Sequence, residues 1–263
     1  MKKPVELSVV VPAFNEESRL EAPLRSIIGY LRGRQRAFEL IVVDDGSRDG
    51  TSRVVARLQR EYGELRLIRL AANQGKGFAV RSGVINARGA KILFTDADGA
   101  TPITELERLE AALDRGADVA IGSRALTDAA VRVEARIYRR LMGRAFHGLV
   151  RLLTVKGIKD TQCGFKLFDG ALAHELFSRM RMSGFSFDVE VLMMAQLRGL
   201  RIAEVAVNWV HQPGSRVNLA VDSLRMARDL FLIRGHFARG GYHRPHVTPW
   251  TDAPGAAPAH PTR

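Results

Sequence analysis

Five short apolar runs alternate with helix-patterned stretches over the first 125 residues, and few folds accommodate that order. Residues 7–11, 40–43, 65–70, 91–95 and 118–121 read as strands. Between them, residues 17–31, 51–62, 77–87 and 103–113 carry helical patterning. In the second of these helices Val54, Val55, Leu58 and Tyr62 share one face, with Asp49 as the expected N-cap and Gly63 as the expected stop. Strands alternating with helices predict an α/β fold, a mainly parallel sheet covered on both faces. Ligands of such sheets bind beyond the carboxyl ends of the strands. Pro12, Asp44-Asp45, Asn73 and Asp96-Ala97-Asp98 all fall at such ends.

The two carboxylates of Asp96 and Asp98 follow the apolar Ile92-Leu93-Phe94. Side chains two apart on a strand share a face, so both can reach one cation. Hard oxygen ligands suit Mg²⁺ or Mn²⁺, which also bridge diphosphate oxygens. Asp44-Asp45-Gly46-Ser47 ends the second strand, where a carboxylate can accept from a base N–H or a ribose hydroxyl, or simply make a turn. Asn73-Gln74-Gly75-Lys76-Gly77 precedes a helix, and helix N-termini present N–H groups to anions, with Lys76 as an added point charge. No G-x-G-x-x-G follows the first strand, and Gly75-Lys76-Gly77 lacks the hydroxyl and upstream glycine of a P-loop.

The second half differs in charge and in order. The chain carries +12 in all; residues 1–130 hold a net +2 and residues 131–263 a net +10. Such a basic half implies an anionic partner: nucleic acid, lipid head groups or phosphorylated substrates. Residues 131–155 set six arginines, Arg136 and Arg140 among them, beside an apolar stripe, the pattern of a helix that lies in a membrane interface or packs on the sheet. Residues 160–168 read as a polar and aromatic loop or strand, 187–197 as helix, 202–209 as strand and 219–237 as helix. From about residue 239 the chain is rich in Gly, Pro and Ala and is expected to be disordered. No apolar run approaches the roughly 18 residues of a membrane span. The first 20 residues do not read as a signal peptide. Cys163 is the single cysteine, which excludes an internal disulfide, favours a reducing compartment and reads as a packing residue.

Taken together, Val11-Pro12-Ala13-Phe14-Asn15-Glu16, Val43-Asp44-Asp45-Gly46-Ser47, Asn73-Gln74-Gly75-Lys76-Gly77, Asp96-Ala97-Asp98-Gly99-Ala100-Thr101 and Gly122-Ser123-Arg124 resemble the inverting family-two glycosyltransferases. The resemblance implies the A-type, Rossmann-like nucleotide-sugar fold. It implies one domain over residues 1–237, a nucleotide-sugar half to 125 and an acceptor half from 126, followed by a tail over 238–263. Pro12, Ala13, Asn15, Glu16, Asp44, Asp45, Lys76, Asp96 and Ala97 would bind the donor, and Asp96 and Asp98 the metal. Asp160-Thr161-Gln162-Cys163-Gly164-Phe165-Lys166-Leu167-Phe168, Phe187-Asp188-Val189-Glu190 and Val205-Ala206-Val207-Asn208-Trp209 look like the branch acting on polyprenyl phosphates, the dolichyl-phosphate β-glucosyltransferases in particular. That implies transfer of glucose from UDP-glucose to a polyprenyl phosphate with inversion, by an enzyme peripheral at the cytoplasmic face of a membrane.

In that reading Asp98 and Arg124 stabilise the departing diphosphate, and Asp160, Asp188 and Glu190 orient the acceptor or the sugar. Gly214-Ser215-Arg216 resembles an acceptor-phosphate element in which the cation is often Lys, and Arg216 keeps the charge with different geometry. Ala100 stands where mannose synthases of the family often have a metal-binding Gln, which favours the glucosyl branch over a GDP-mannose enzyme. A transferase with a hydroxyl acceptor is a further alternative. A basic nucleic-acid-binding module has only the net charge behind it. Few aromatics are interleaved with the basic residues, and no nucleic-acid partner is expected.

Overall fold

A computed structural model describes residues 4–126, 128, 133–134, 155, 157–212 and 219–242. In chain order the elements are β1 (Leu7–Ala13), α1 (Glu21–Gly33), β2 (Phe38–Asp44), α2 (Thr51–Gln59), β3 (Leu65–Arg69), α3 (Lys76–Ile85) and β4 (Lys91–Thr95). A 3₁₀ turn over Ile103–Glu105 leads into α4 (Leu106–Asp114), followed by β5 (Val119–Ser123) and β6 (Val133–Glu134). The second half adds β7 (Phe165–Asp169), α5 (Gly170–Arg179), α6 (Phe187–Leu197), β8 (Ile202–Ala206), β9 (Trp209–Val210) and α7 (Leu219–Ala238).

Seven strands form one sheet in the order β3-β2-β1-β4-β7-β5-β8. All neighbours pair in parallel except β7, which runs antiparallel between β4 and β5. The sheet is therefore mixed but mainly parallel, as expected, and strands from both halves of the chain share it. β1 and β2 are buried along their whole length, so they read as continuous apolar runs rather than alternating ones. Their side chains still divide by parity. Val9, Val11, Leu40 and Val42 pack with α1, α2 and α4 on one face. Val10, Ile41 and Val43 pack with α3, α5 and α6 on the other. The 202–209 stretch is split: β8 ends at Ala206, and β9 pairs with β6 in a separate two-stranded sheet.

Local signals acted close to where they were expected. α2 begins at Thr51, and Asp49 Oδ1 accepts from the Thr51 N–H at 3.0 Å, one residue before the Gly50 cap position. The helix ends at Gln59, short of Gly63. α7 runs to Ala238, Gly240 turns the chain at φ 68°, and Tyr242 is buried. Residues 243–263 lie outside the described residues, as do 135–154 of the basic stretch.

Candidate active site

The strand order reverses at β1 and β4, and the crevice of an open α/β sheet lies beyond the carboxyl ends of such a pair. A cleft of about 490 Å³ opens there, with Arg19, Ile27, Asp96, Asp98, Thr101 and Gln212 among its lining. β4 stops at Thr95, so Asp96 and Asp98 stand in the turn after the strand, not on it, and still reach one cleft.

Each carboxylate has a defined setting. The Asp96 N–H donates to the Gly164 carbonyl at 3.0 Å. The Gly164 backbone lies so close that a Cβ there would stand 2.0 Å from Asp96 Oδ2. On its other side Asp96 Oδ1 meets Lys76 Nζ at 2.7 Å. Lys76 lies beside the rings of Phe94 and Phe185, at 5.4 and 6.0 Å. Burial lowers its pKa, but the charges of Asp96 and Asp188 outweigh that, so the ammonium is held above its ordinary value. Asp98 Oδ1 accepts from the Ala100 N–H at 3.0 Å. Burial and the Asp96 charge raise the Asp98 carboxyl, with Ala100, Arg19 and Lys76 opposing.

This donor set fits a hard divalent cation. Two carboxylates crowd one turn and line the same cleft. Among the described residues no group of three or more His, Cys, Asp and Glu could cage a metal. Mg²⁺ or Mn²⁺ on Asp96 and Asp98 would therefore complete its shell with water and diphosphate oxygens, the usual arrangement for Mg²⁺. Arg19, which no motif singled out, lines the same cleft. Its guanidinium pairs with Glu16, donating from Nη2 to Oε1 at 2.7 Å, and feels both Asp96 and Asp98.

The loop after β1 is knitted to the loop after β2. Asn15 takes a left-handed φ of 54°, its N–H donates to Ser47 Oγ at 2.8 Å and its Oδ1 accepts from the Arg48 N–H at 2.8 Å. The Glu16 N–H donates to Thr51 Oγ1 at 2.8 Å. Pro12 and Ala13 pair with Val43 and Asp44 in the buried β1–β2 register, and Ala97 is buried beside the carboxylate pair.

Four carboxylates expected at the ligand are hydrogen-bonded within the protein. Asp44 is fully buried, accepting from the Ser47 N–H at 2.9 Å and from Ser52 Oγ. Asp45 holds the Lys76 turn, accepting from the N–H groups of Gln74 and Gly75 at 2.7 and 2.9 Å and from Asn73 Nδ2 at 2.9 Å. Asp188 is buried against Lys166, whose Nζ donates to it at 2.5 Å and to the Cys163 carbonyl at 2.6 Å. Glu190 is fully buried and accepts from the Arg181 and Met182 N–H groups and from Tyr242 Oη. The reason is common to all four: a desolvated carboxylate must find donors, and backbone amides and the side chains of Ser52, Asn73, Lys166 and Tyr242 supply them. Cys163 is buried, and burial pushes its thiol up to about 12, which suits packing and not nucleophilic attack.

Arg124 and Asp160 come together from β5 and the loop before β7. Arg124 donates from Nε and Nη2 to the two Asp160 oxygens at 2.7 and 2.8 Å, and from its backbone N–H at 2.9 Å. Burial lowers the Arg124 pKa, but Asp160 more than compensates, so the guanidinium stays charged. Its face lies 5.6 Å from the Trp209 ring centroid. Glu204 of β8 anchors the pair from below, accepting from the Lys159 and Asp160 N–H groups at 2.9 and 2.8 Å. Glu204 carries no motif signal by itself; its role arises from pairing with the loop before β7. Arg216 lies outside the described residues.

A mixed sheet with a carboxylate-lined crevice at its switch point is the architecture of an A-type glycosyltransferase. Residues 8–177 match the profile of Glycosyl transferase family 2, and the chain belongs to that family. It is 42% identical over 250 residues to the dolichyl-phosphate beta-glucosyltransferase of Homo sapiens, spanning 90% of this chain and 77% of the human one. The Saccharomyces cerevisiae protein of the same name is 37% identical over 254 residues, 90% of this chain and 76% of the yeast one. Among solved structures, glucosyl-3-phosphoglycerate synthase of Mycobacterium tuberculosis in complex with Mn²⁺, UDP-glucose and phosphoglyceric acid shares the fold. The TM-score is 0.67 at 21% identity, over 88% of this chain and 80% of that one. Mannosyl-3-phosphoglycerate synthase of Rubrobacter xylanophilus superposes with a TM-score of 0.61 at 18% identity, over 96% and 79% of the two chains.

Proposed function

We propose that the protein transfers glucose from UDP-glucose to a polyprenyl phosphate of the dolichyl type, inverting the anomeric carbon. The observation that carries this reading is the 42% identity, over 90% of the chain, to a dolichyl-phosphate beta-glucosyltransferase. The site geometry supports it. The nucleoside lies against the Pro12–Glu16 loop, whose turn Asn15 fixes. Lys76 and Arg19 bring cations to the cleft where the diphosphate binds. When bound at Asp96 and Asp98, Mg²⁺ or Mn²⁺ neutralises charge growing on the leaving diphosphate. Arg124, held charged by Asp160, adds to that field from the β5 end.

An acceptor phosphate oxygen attacks the anomeric carbon opposite the departing group. The bond from that carbon to the diphosphate breaks, and UDP leaves with the electron pair. The acceptor is already anionic at neutral pH, so no strong base is required. Arg216, outside the described residues, is assigned to the acceptor phosphate on its sequence resemblance alone.

We place the enzyme peripherally at the cytoplasmic face of a membrane. No helix among the described residues is long and apolar enough to cross one. The outer face of α7 exposes Phe231 and Leu232 beside Arg228, and the second half of the chain carries +10. The deciding experiment incubates labelled UDP-glucose, UDP-galactose and GDP-mannose with and without dolichyl phosphate, with EDTA and with Mn²⁺ restored. Lipid-dependent, EDTA-sensitive transfer from UDP-glucose is expected. Preference for GDP-mannose, or transfer that ignores the lipid phosphate, would overturn the assignment.

A further inference from the structure

We infer that Tyr242 and Glu190 form a clamp that positions Lys76 for the donor diphosphate, an inference that rests on the donor reading above. Glu190 lies on α6, fully buried, where an unsatisfied carboxylate would be costly. Its donors are the Arg181 N–H at 3.0 Å, the Met182 N–H at 2.8 Å and Tyr242 Oη at 2.6 Å. Two of these fix the segment joining α5 to α6; the third comes from beyond α7.

That segment is the bed on which the Lys76 turn lies. The Phe78 N–H donates to the Ser183 carbonyl at 3.1 Å. Gly75, at φ 101°, passes so close that a Cβ would stand 2.5 Å from the same carbonyl oxygen, and one on Gly77 would stand 2.6 Å from that of Met182. Lys76 is thus flanked by two glycines that have no side chains to anchor it. Its turn is held by Asp45 from one side and by residues 182–183 from the other. From this position Lys76 reaches Asp96 at 2.7 Å.

The far end of the clamp is equally built. The Gly241 N–H donates to the His236 carbonyl at 2.8 Å, which folds the chain back after α7. The Tyr242 ring packs 4.2 Å from Phe237, centroid to centroid, and Arg181 Nη2 donates to the Gly241 carbonyl at 2.6 Å. Tyr242 and Glu190 are positioning residues: neither lines the cleft, and each acts on it through residues 181–183.

The test uses the full chain. Tyr242→Phe removes one hydroxyl and leaves the ring in place; Glu190→Gln removes acceptor capacity. UDP affinity is measured by calorimetry with Mn²⁺ present, and amide hydrogen exchange is followed over residues 76–78. Each variant is expected to raise the Kd for UDP roughly tenfold, the scale of a hydrogen bond to a charged group, and to speed exchange at 76–78. In a Lys76→Ala background Tyr242→Phe is expected to have no further effect on Kd, because coupled residues are not additive. Unchanged affinity and exchange, or an equal loss in both backgrounds, would overturn the clamp. If the wild-type protein fails to bind UDP, the donor reading falls, and exchange at 76–78 in Tyr242→Phe alone decides: faster exchange upholds the clamp and unchanged exchange removes it.

Discussion

Gly164→Ala adds one methyl group at the point where the second half of the chain touches the Asp96 carboxylate. The new carbon would stand 2.0 Å from Oδ2, 2.2 Å from Cγ and 2.4 Å from Oδ1, where ordinary contact begins near 3.4 Å. The carboxylate must therefore retreat by more than an ångström. It cannot simply swing away, because Lys76 Nζ holds Oδ1 at 2.7 Å and the Asp96 N–H is tied to the Gly164 carbonyl at 3.0 Å. The Gly164 φ is not left-handed, so the backbone itself accepts Ala, and the overpacking should cost about 1–3 kcal/mol of stability. Catalysis is less tolerant. A misplacement of about 1 Å costs on the order of 10²-fold, or about 2.7 kcal/mol of transition-state stabilisation. The assay is kcat/KM for glucose transfer to dolichyl phosphate beside a thermal melt. A folded Gly164→Ala protein with kcat/KM within about threefold of wild type would refute the reasoning, because the position of Asp96 would then not matter to the reaction.

Asp98→Ala is expected to abolish transfer, through loss of a ligand worth several kcal/mol, while the melting temperature barely changes; Mn²⁺ binding in the presence of UDP, followed by electron paramagnetic resonance, checks the cause. Lys166→Met leaves Asp188 buried beside the Cys163 loop without its ammonium and should cost about 3–5 kcal/mol in urea unfolding, with the Lys166→Met/Asp188→Asn double variant recovering part of that loss. Glu39 is buried, and although burial raises its carboxyl, Ser8, Arg66 and Arg88 together hold it below its ordinary value. Its contribution is therefore full above the unfolded pKa of about 4.3 and is lost as pH falls through the lower folded value, so the stability gap between wild type and Glu39→Gln should shrink from pH 7 to pH 3. Cosedimentation with anionic vesicles is expected to be strong at low salt, to weaken as salt rises and to fall further with Arg136→Glu/Arg140→Glu; a folded protein that stays in the supernatant at low salt would remove surface docking.

The sequence by itself determined the sheet and the mouth of the site. Apolar runs at strand length and helical periodicity depend on neighbours two to four residues away, so β4 fell at Lys91–Thr95 and α6 at Phe187–Leu197 as read from the chain. Asp96 and Asp98 were legible because a strand end fixes where they must lie. Two features were not legible. α5, over Gly170–Arg179, was not foreseen, and the strand direction of β7 follows from where it enters the sheet, not from its composition. The roles of the other acids were decided only by tertiary structure. Asp44, Asp45, Asp188 and Glu190 have the residue types of ligands, and each accepts hydrogen bonds from donors that folding brings to it. Lys166 reaches Asp188 across 22 residues, and Tyr242 reaches Glu190 across 52. Spacing along a chain states which side chains are near in sequence; whether a buried carboxylate meets a substrate or an amide depends on which segments the core packs against it.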